Sequence, residues 1–263
     1  MKIGVFDSGL GGLTVVQAMT QVIKGAEIFY VADTKNAPYG EKTPEQILQY
    51  SLNITKYLIN TYQIEALILA CNTATSSSIK HLREIYPELI IMGTEPGIKP
   101  AIEQTKTGKI GVLATPATLQ GDKYKQLTEA LSLQKSVYIY EQACPGLVEQ
   151  IEKGEIDSVE TINLLEKWLT PMRENNVDTI VLGCTHYPLV SQSIEKIMNC
   201  NVSLIHTGDA ISKHLLSIGT QKGHLNEGDL RVHIHTTGEI QIPIIDSIIE
   251  TYDHIHFIEI ESD

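Results

Sequence analysis

Basic side chains are scarce in this chain: 20 lysines and arginines stand against 32 aspartates and glutamates, giving a formal charge of -12 over 263 residues. Such a surface repels a phosphate backbone, and no basic cluster interrupts it, so no nucleic-acid partner is expected. The same imbalance attracts no anion from a distance, and a site for an anionic ligand must therefore rest on local donors. Cysteine is sparse too, with four residues and no C-x-x-C pair. That usage argues against a disulfide framework, a dithiol redox centre and the common zinc spacings, and with no signal segment it fits a reducing cytoplasm. No apolar run approaches the ~18 residues of a membrane span, and no low-complexity or linker-like tract divides the chain. The length allows one large or two modest domains, each able to bury a core without covalent staples.

What is present begins with Ala66-Leu67-Ile68-Leu69-Ala70-Cys71-Asn72-Thr73-Ala74-Thr75. An apolar run without polar alternation suits a strand covered on both faces, as in a parallel sheet. Asn72, Thr73 and Thr75 are cap-forming residues, so a helix is expected to begin there and to aim its unpaired N–H groups at whatever lies beside Cys71. A carboxylate suits that position. The pattern returns as Asp178-Thr179-Ile180-Val181-Leu182-Gly183-Cys184-Thr185-His186-Tyr187-Pro188, and Lys2-Ile3-Gly4-Val5 returns as Lys109-Ile110-Gly111-Val112. These echoes predict two similar α/β domains, each a mainly parallel sheet flanked by helices, each with a thiol at the carboxyl end of a strand, where open α/β sheets hold their ligands. Chance recurrence of short motifs is the competing account.

Taken in order, Lys2 to Phe6 reads as a strand, and Asp7-Ser8-Gly9-Leu10-Gly11-Gly12 as a glycine-rich turn into a helix ending near Lys24. That turn is not a dinucleotide fingerprint; an actin-like phosphate loop is an alternative, though no partner loop follows. Ile28 to Ala32 is the second strand, and the polar loop Asp33-Thr34-Lys35-Asn36-Ala37-Pro38-Tyr39-Gly40 after it is a functional candidate. Thr43, Pro44 and Gln46 form a capping-box start for a helix reaching Gln63. Leu89 to Met92 is the fourth strand, and Glu95-Pro96-Gly97 marks the crossing, so the first domain is expected over 1–95 and 208–263 and the second over 96–207. Within the second, strands are expected at Lys109 to Ala114, Ser136 to Glu141, Thr179 to Leu182 and Val202 to His206. Thr115 to Thr118 should cap a helix as Asp7 and Ser8 do in the first half. Cys144 opens a helix that carries Glu149 and Glu152 on one face, and Asp157-Ser158 caps the helix bearing Trp168. The chain then returns with strands at Arg231 to Thr236 and His254 to Ile260. His233, His235, His254 and His256 could share a metal, but polar faces of half-buried strands are the simpler use, and no metal is expected.

A cysteine at a strand end is usually an inert buried residue. Two in equivalent settings, with Asp7 on a strand neighbouring Cys71 and His186 two residues after Cys184, point instead to thiols that are helped to ionise, since a thiol of pKa about 8.5 is mostly protonated at neutral pH. Two bases on opposite sides of a cleft suit removal of a proton from one face of a carbon and delivery to the other, which inverts a stereocentre. No arginine lies in any motif, so substrate carboxylates would be held by hydroxyl, amide and backbone N–H donors. No lysine is placed for a pyridoxal Schiff base.

Phe6-Asp7-Ser8-Gly9-Leu10-Gly11-Gly12-Leu13-Thr14-Val15, Asp33 with Pro38-Tyr39-Gly40, Ala70 to Thr75 and Gly183 to Leu189 together resemble the glutamate racemases of the aspartate/glutamate racemase superfamily. The resemblance spans nearly the whole chain. It implies a cofactor-independent isomerase interconverting L- and D-glutamate in the cleft between two domains. It further implies a cytoplasmic homodimer that supplies D-glutamate for peptidoglycan, cell wall biogenesis and cell shape. It implies Cys71 and Cys184 as the acid/base thiols, taking the α-proton of D- and L-glutamate respectively, with Asp7 assisting Cys71 and His186 assisting Cys184. The family's helix carboxylate falls in register at Glu152, although Glu149, standing where proline is usual, is an adjacent candidate. Implied substrate contacts are Asp7, Ser8, Tyr39, Gly40, Asn72, Thr73, Thr185 and His186, with Thr115 and Thr118 as weaker additions. An aspartate or mixed-specificity racemase is the alternative activity; a nucleotide-binding or interaction protein on the same scaffold is the alternative of another class.

Overall fold

The computed structural model describes residues 1–135 and 137–260, and for residues 122, 123 and 131–135 it describes the backbone alone. Along the chain run β1 (Lys2–Asp7), α1 (Leu13–Thr20), β2 (Ala26–Ala32), α2 (Pro44–Tyr62), β3 (Ala66–Leu69), α3 (Asn72–Ile85) and β4 (Ile90–Gly93). Then follow α4 (Ile98–Gln104), β5 (Lys109–Ala114), α5 (Pro116–Gln120), α6 (Asp122–Lys135), β6 (Tyr138–Ala143), α7 (Leu147–Glu152), α8 (Val159–Glu174), β7 (Thr179–Gly183), α9 (Ser191–Ile197) and β8 (Ser203–Ile205). The chain closes with α10 (Gly208–Gln221), β9 (Leu230–Thr236), α11 (Ile242–Ile248) and β10 (Ile255–Phe257). Two compact units result, one from Met1–Thr94 with the segment from Gly208 onward, the other from Glu95–Thr207.

Each unit is built on a parallel sheet. The first has the order β10-β9-β2-β1-β3-β4 and the second β6-β5-β7-β8. Setting β5 against β1, β6 against β2, β7 against β3 and β8 against β4 makes the two strand orders coincide. The register coincides as well: Ile3 pairs with Ala66 and Val5 with Ile68 in one sheet, Ile110 with Thr179 and Val112 with Val181 in the other. The repeated Ile-Gly-Val segments thus lie on the two central strands, and Cys71 and Cys184 occupy matching places. In this order the chain reverses direction across the sheet between β1 and β3, and between β5 and β7, which is where the carboxyl ends leave a crevice.

Local chemistry accounts for the elements. β3 and β7 are buried at every residue, as continuous apolar runs covered on both faces require. Thr43 caps α2 with a complete capping box, Pro44 occupies its first turn, and Ile47, Ser51, Ile54, Thr55 and Leu58 form its buried stripe. Ser158 caps α8, whose Thr161, Leu165, Trp168, Leu169 and Met172 face the second core. Burying such aliphatic side chains is worth roughly 1.5–3 kcal/mol each, which fixes the helices on the sheet.

Several details differ from the sequence reading. The first helix ends at Thr20 rather than near Lys24, because the chain turns back through Val22 and Ile23 onto the carbonyl of Met19. Gly12, not Asp7 or Ser8, is its cap. Asp7 instead closes the turn, its Oδ2 accepting the Gly12 N–H at 2.6 Å. The cap of α3 is Cys71 itself, whose Sγ accepts from the Ala74 N–H at 3.5 Å. Asn72 and Thr73 are thereby moved into the first turn. β10 is shorter than expected, and Ser136, placed in a strand by the sequence reading, lies outside the described residues. Among the described residues no helix is long and apolar enough to cross a membrane.

Candidate active site

The carboxyl ends of β1, β2 and β3 bring Asp7, Asp33 and Cys71 to one edge of the first unit. Asp7 is fully buried and Cys71 is 6% exposed. Gly12 is required here: a Cβ at that position would fall 2.6 Å from the Asp7 Cβ, so only glycine lets its N–H reach the carboxylate. Ser8 Oγ lies 3.9 Å from Cys71 Sγ. Asn72 and Thr73, both buried, start the helix that Cys71 caps. Neither amide atom of Asn72 has a hydrogen-bond partner among the described residues. A buried amide in that condition costs on the order of 1–3 kcal/mol, so it is suited to meeting a polar ligand.

Tyr39 and Gly40 stand in a short 3-10 turn after the Asp33 loop, with the Ala37–Pro38 peptide cis. Asp33 organises that loop. Its carboxylate accepts from the Tyr39 hydroxyl at 2.6 Å, from Asn36 Nδ2 at 3.0 Å and from the Thr237 hydroxyl at 2.8 Å. Burial first, then the Asp33 charge and hydrogen bond, hold the Tyr39 phenol well above its ordinary pKa, with smaller contributions from Cys71 and Asp7. The phenol is therefore a neutral, fixed neighbour of the thiol.

The second unit repeats the plan with different chemistry. Cys184 follows β7 and is 8% exposed. Gly183 before it allows β5 and β7 to close, since a Cβ there would meet Ala114 Cβ at 2.9 Å. Cys184 Sγ lies 3.7 Å from His186 Nδ1, and His186 Nε2 lies 2.5 Å from Glu152 Oε1. Of the two acidic candidates on α7, Glu152 is the one that meets the imidazole; Glu149 acts on Tyr187. Burial alone favours neutral His186, but hydrogen bonds and charge from Cys184 and Glu152 outweigh it and hold the ring well above its ordinary pKa. A buried imidazolium between two potential anions is what stabilises a thiolate. Thr185, which stands between Cys184 and His186 in the sequence, is also buried. Thr115 caps α5 and its Oγ1 lies 3.0 Å from Thr118 Oγ1, at the end of β5.

Among the described residues no group of three or more histidine, cysteine, aspartate or glutamate side chains is placed to hold a metal. His235 and His256 stack at 5.2 Å on the β9–β10 face instead. Asp33's grip on Thr237 and the Cys144–Tyr187 neighbourhood in the second unit lay beyond the sequence reading, because their partners come from segments far apart in the chain.

Comparison with known proteins places this arrangement. Residues 3–215 match the family model described as Asp/Glu/Hydantoin racemase. A glutamate racemase of Sulfurovum sp. is 65% identical over 262 residues, covering 100% of this chain and 99% of the relative. One of Aliarcobacter butzleri is 60% identical over 250 residues, covering 95% and 96%. Among solved structures, the glutamate racemase of Francisella tularensis in complex with D-glutamate has a TM-score of 0.83 at 27% identity, with 100% of this chain and 98% of that one covered. An isoform from Bacillus anthracis has a TM-score of 0.84 at 29% identity, covering 98% and 97%. The chain belongs to the Asp/Glu/hydantoin racemase family, alongside its glutamate racemases.

Proposed function

We propose that Cys71 and Cys184 are the paired acid/base thiols of a glutamate racemase, acting on opposite faces of one α-carbon without a cofactor. The observation that carries the reading is the in-register repetition of the two sheets, which gives each unit one thiol at the same strand end. In the L-to-D direction the Cys184 thiolate removes the α-proton while the Cys71 thiol delivers one to the other face; the reverse reaction exchanges their roles. Asp7 serves Cys71, and His186 with Glu152 serves Cys184. Charge that develops on the substrate carboxylate during proton removal is met by the N–H groups opening α3 and by polar side chains, namely Ser8, Asn72, Thr73 and Thr185. Tyr39 and Gly40 border the substrate from the Asp33 loop. The product fits peptidoglycan precursor synthesis by a cytoplasmic homodimer; light scattering of the purified protein tests the dimer.

Cys71→Ser and Cys184→Ser should each lower racemisation by several orders of magnitude, because a serine hydroxyl ionises far less readily than a thiol. Circular dichroism of L-glutamate measures it, with L-aspartate alongside to test substrate class. In deuterated water the wild-type protein should place deuterium at the α-carbon with no added cofactor. Racemisation at the wild-type rate in either variant would overturn the two-thiol scheme.

A further inference from the structure

We propose that Cys144 is a positioning residue of the second half-site: an uncharged partner for the buried Tyr187 phenol that keeps negative charge away from Cys184. This rests on the reading of Cys184 as a reacting thiol. It starts from the register. β1 pairs Lys2 with Glu27 and β5 pairs Lys109 with Tyr138, so the residues just beyond β2 and β6, Asp33 and Cys144, are equivalent. Both are tied identically, Asp33 N–H to the Asp7 carbonyl at 2.9 Å and Cys144 N–H to the Ala114 carbonyl at 3.0 Å. Both also attend a buried tyrosine beside a strand-end thiol, Tyr39 in the first unit and Tyr187 in the second.

What differs is charge. Asp33 takes the Tyr39 hydroxyl on a carboxylate. The Tyr187 hydroxyl makes no well-formed hydrogen bond among the described residues, and its interaction is with the Cys144 thiol. Cys144 Sγ lies 3.5 Å from the Gln142 carbonyl. A carbonyl only accepts, so the sulfur there carries its proton. Burial, opposed by the Tyr187 contact and reinforced by the charge of Cys184, pushes the thiol up to about 12. The ionisable groups that act on this pair are Cys184 and, on α7, Glu149; Cys184 in turn meets His186 on the turn after β7, and His186 meets Glu152. His186 is the one cation among them, and Glu152 already answers it. A carboxylate at position 144, as the first unit has at 33, would set a further anion against the Cys184 thiolate. Here a neutral thiol supports the phenol without that opposition.

The test compares Cys144→Asp with Cys144→Asn, which have nearly the same shape and differ in charge. The Asn variant should keep the wild-type pH profile of kcat/KM, with at most a uniform loss. The Asp variant should move the acidic limb upward by about one pH unit, a roughly tenfold deficit at neutral pH relative to Asn that closes as pH rises. Superposable Asp and Asn profiles would reduce Cys144 to a packing residue and overturn the proposal. The wild-type protein gives a second measurement that depends on no variant: iodoacetamide treatment at pH 8 followed by peptide mapping should label Cys184 and spare Cys144. Labelling of Cys144 as fast as Cys184 would also overturn it. Cys184→Ser assayed in parallel separates the two claims, since undiminished activity there removes the underlying reading, whereas inactivity with unmoved Cys144 profiles removes this inference alone.

Discussion

Cys184 and His186, both buried, and the half-buried Glu152 form a line in which each group's charge depends on the next. Glu152→Gln keeps the side chain's size and an acceptor but removes the charge that favours the imidazolium. kcat should fall on the order of a hundredfold, and the alkaline limb of its pH profile should move to lower pH, because His186 then loses its proton earlier. The same pair has a stability signature. His186 is raised in the folded protein above its unfolded value, so the pairing stabilises fully below the ordinary histidine pKa and is lost as pH rises through the raised folded one. Thermal unfolding should therefore separate wild type from Glu152→Gln most at pH 6, with the gap narrowing at high pH. An equal gap at both would show that the carboxylate acts through packing rather than charge.

β9 and its neighbours carry the corresponding effect at the scale of an element. His235, 2% exposed, joins four of them. Its Nδ1 lies 3.3 Å from the Tyr30 carbonyl on β2, its Nε2 lies 2.6 Å from the Tyr62 hydroxyl on α2, and its ring stacks on His256 of β10. A carbonyl only accepts, so Nδ1 carries a proton, and because burial keeps the ring neutral, Nε2 accepts from the phenol. Burial, aided by the charges of His256 and His233 and opposed by the carbonyl bond, lowers its pKa to about 4. The unfolded chain takes up this proton near 6.5, so stability contributed by neutral His235 declines as pH falls from about 6.5 to 4. The melting temperature should drop across that window in wild type and drop less in His235→Gln. Such ties mark the limit of what the sequence makes legible. The buried strands, the Thr43–Gln46 capping box and the repeated strand-end thiols are written locally, in apolar runs and cap residues at fixed spacing. The Thr237–Asp33 bond, the His186–Glu152 contact and the Tyr62–His235 bond join distant segments, and only the packed sheets bring those partners together. Even the cap of α3 escaped a local rule, because a thiol took the place that the adjacent asparagine and threonines suit better by propensity.

For the whole molecule the governing quantity is charge. A protein of formal charge -12 repels glutamate, itself a net anion at neutral pH, over distances comparable to the Debye length. The proposed contacts are short-range and mostly uncharged, so salt should leave them nearly intact while it screens the long-range repulsion. Raising potassium chloride from about 0.01 M, where the Debye length is roughly 30 Å, to about 0.15 M, where it is roughly 8 Å, should therefore lower KM by about two- to threefold and leave kcat little changed. The enantiomers of glutamate have equal free energies, which forces kcat/KM to be the same in both directions at every salt concentration. The two assays must then rise together, and their agreement checks the measurement itself. A KM that increases with salt in both directions would mean that an exposed cation draws the substrate in, and would move the recognition of its carboxylates from helix N–H groups and neutral side chains to that cation.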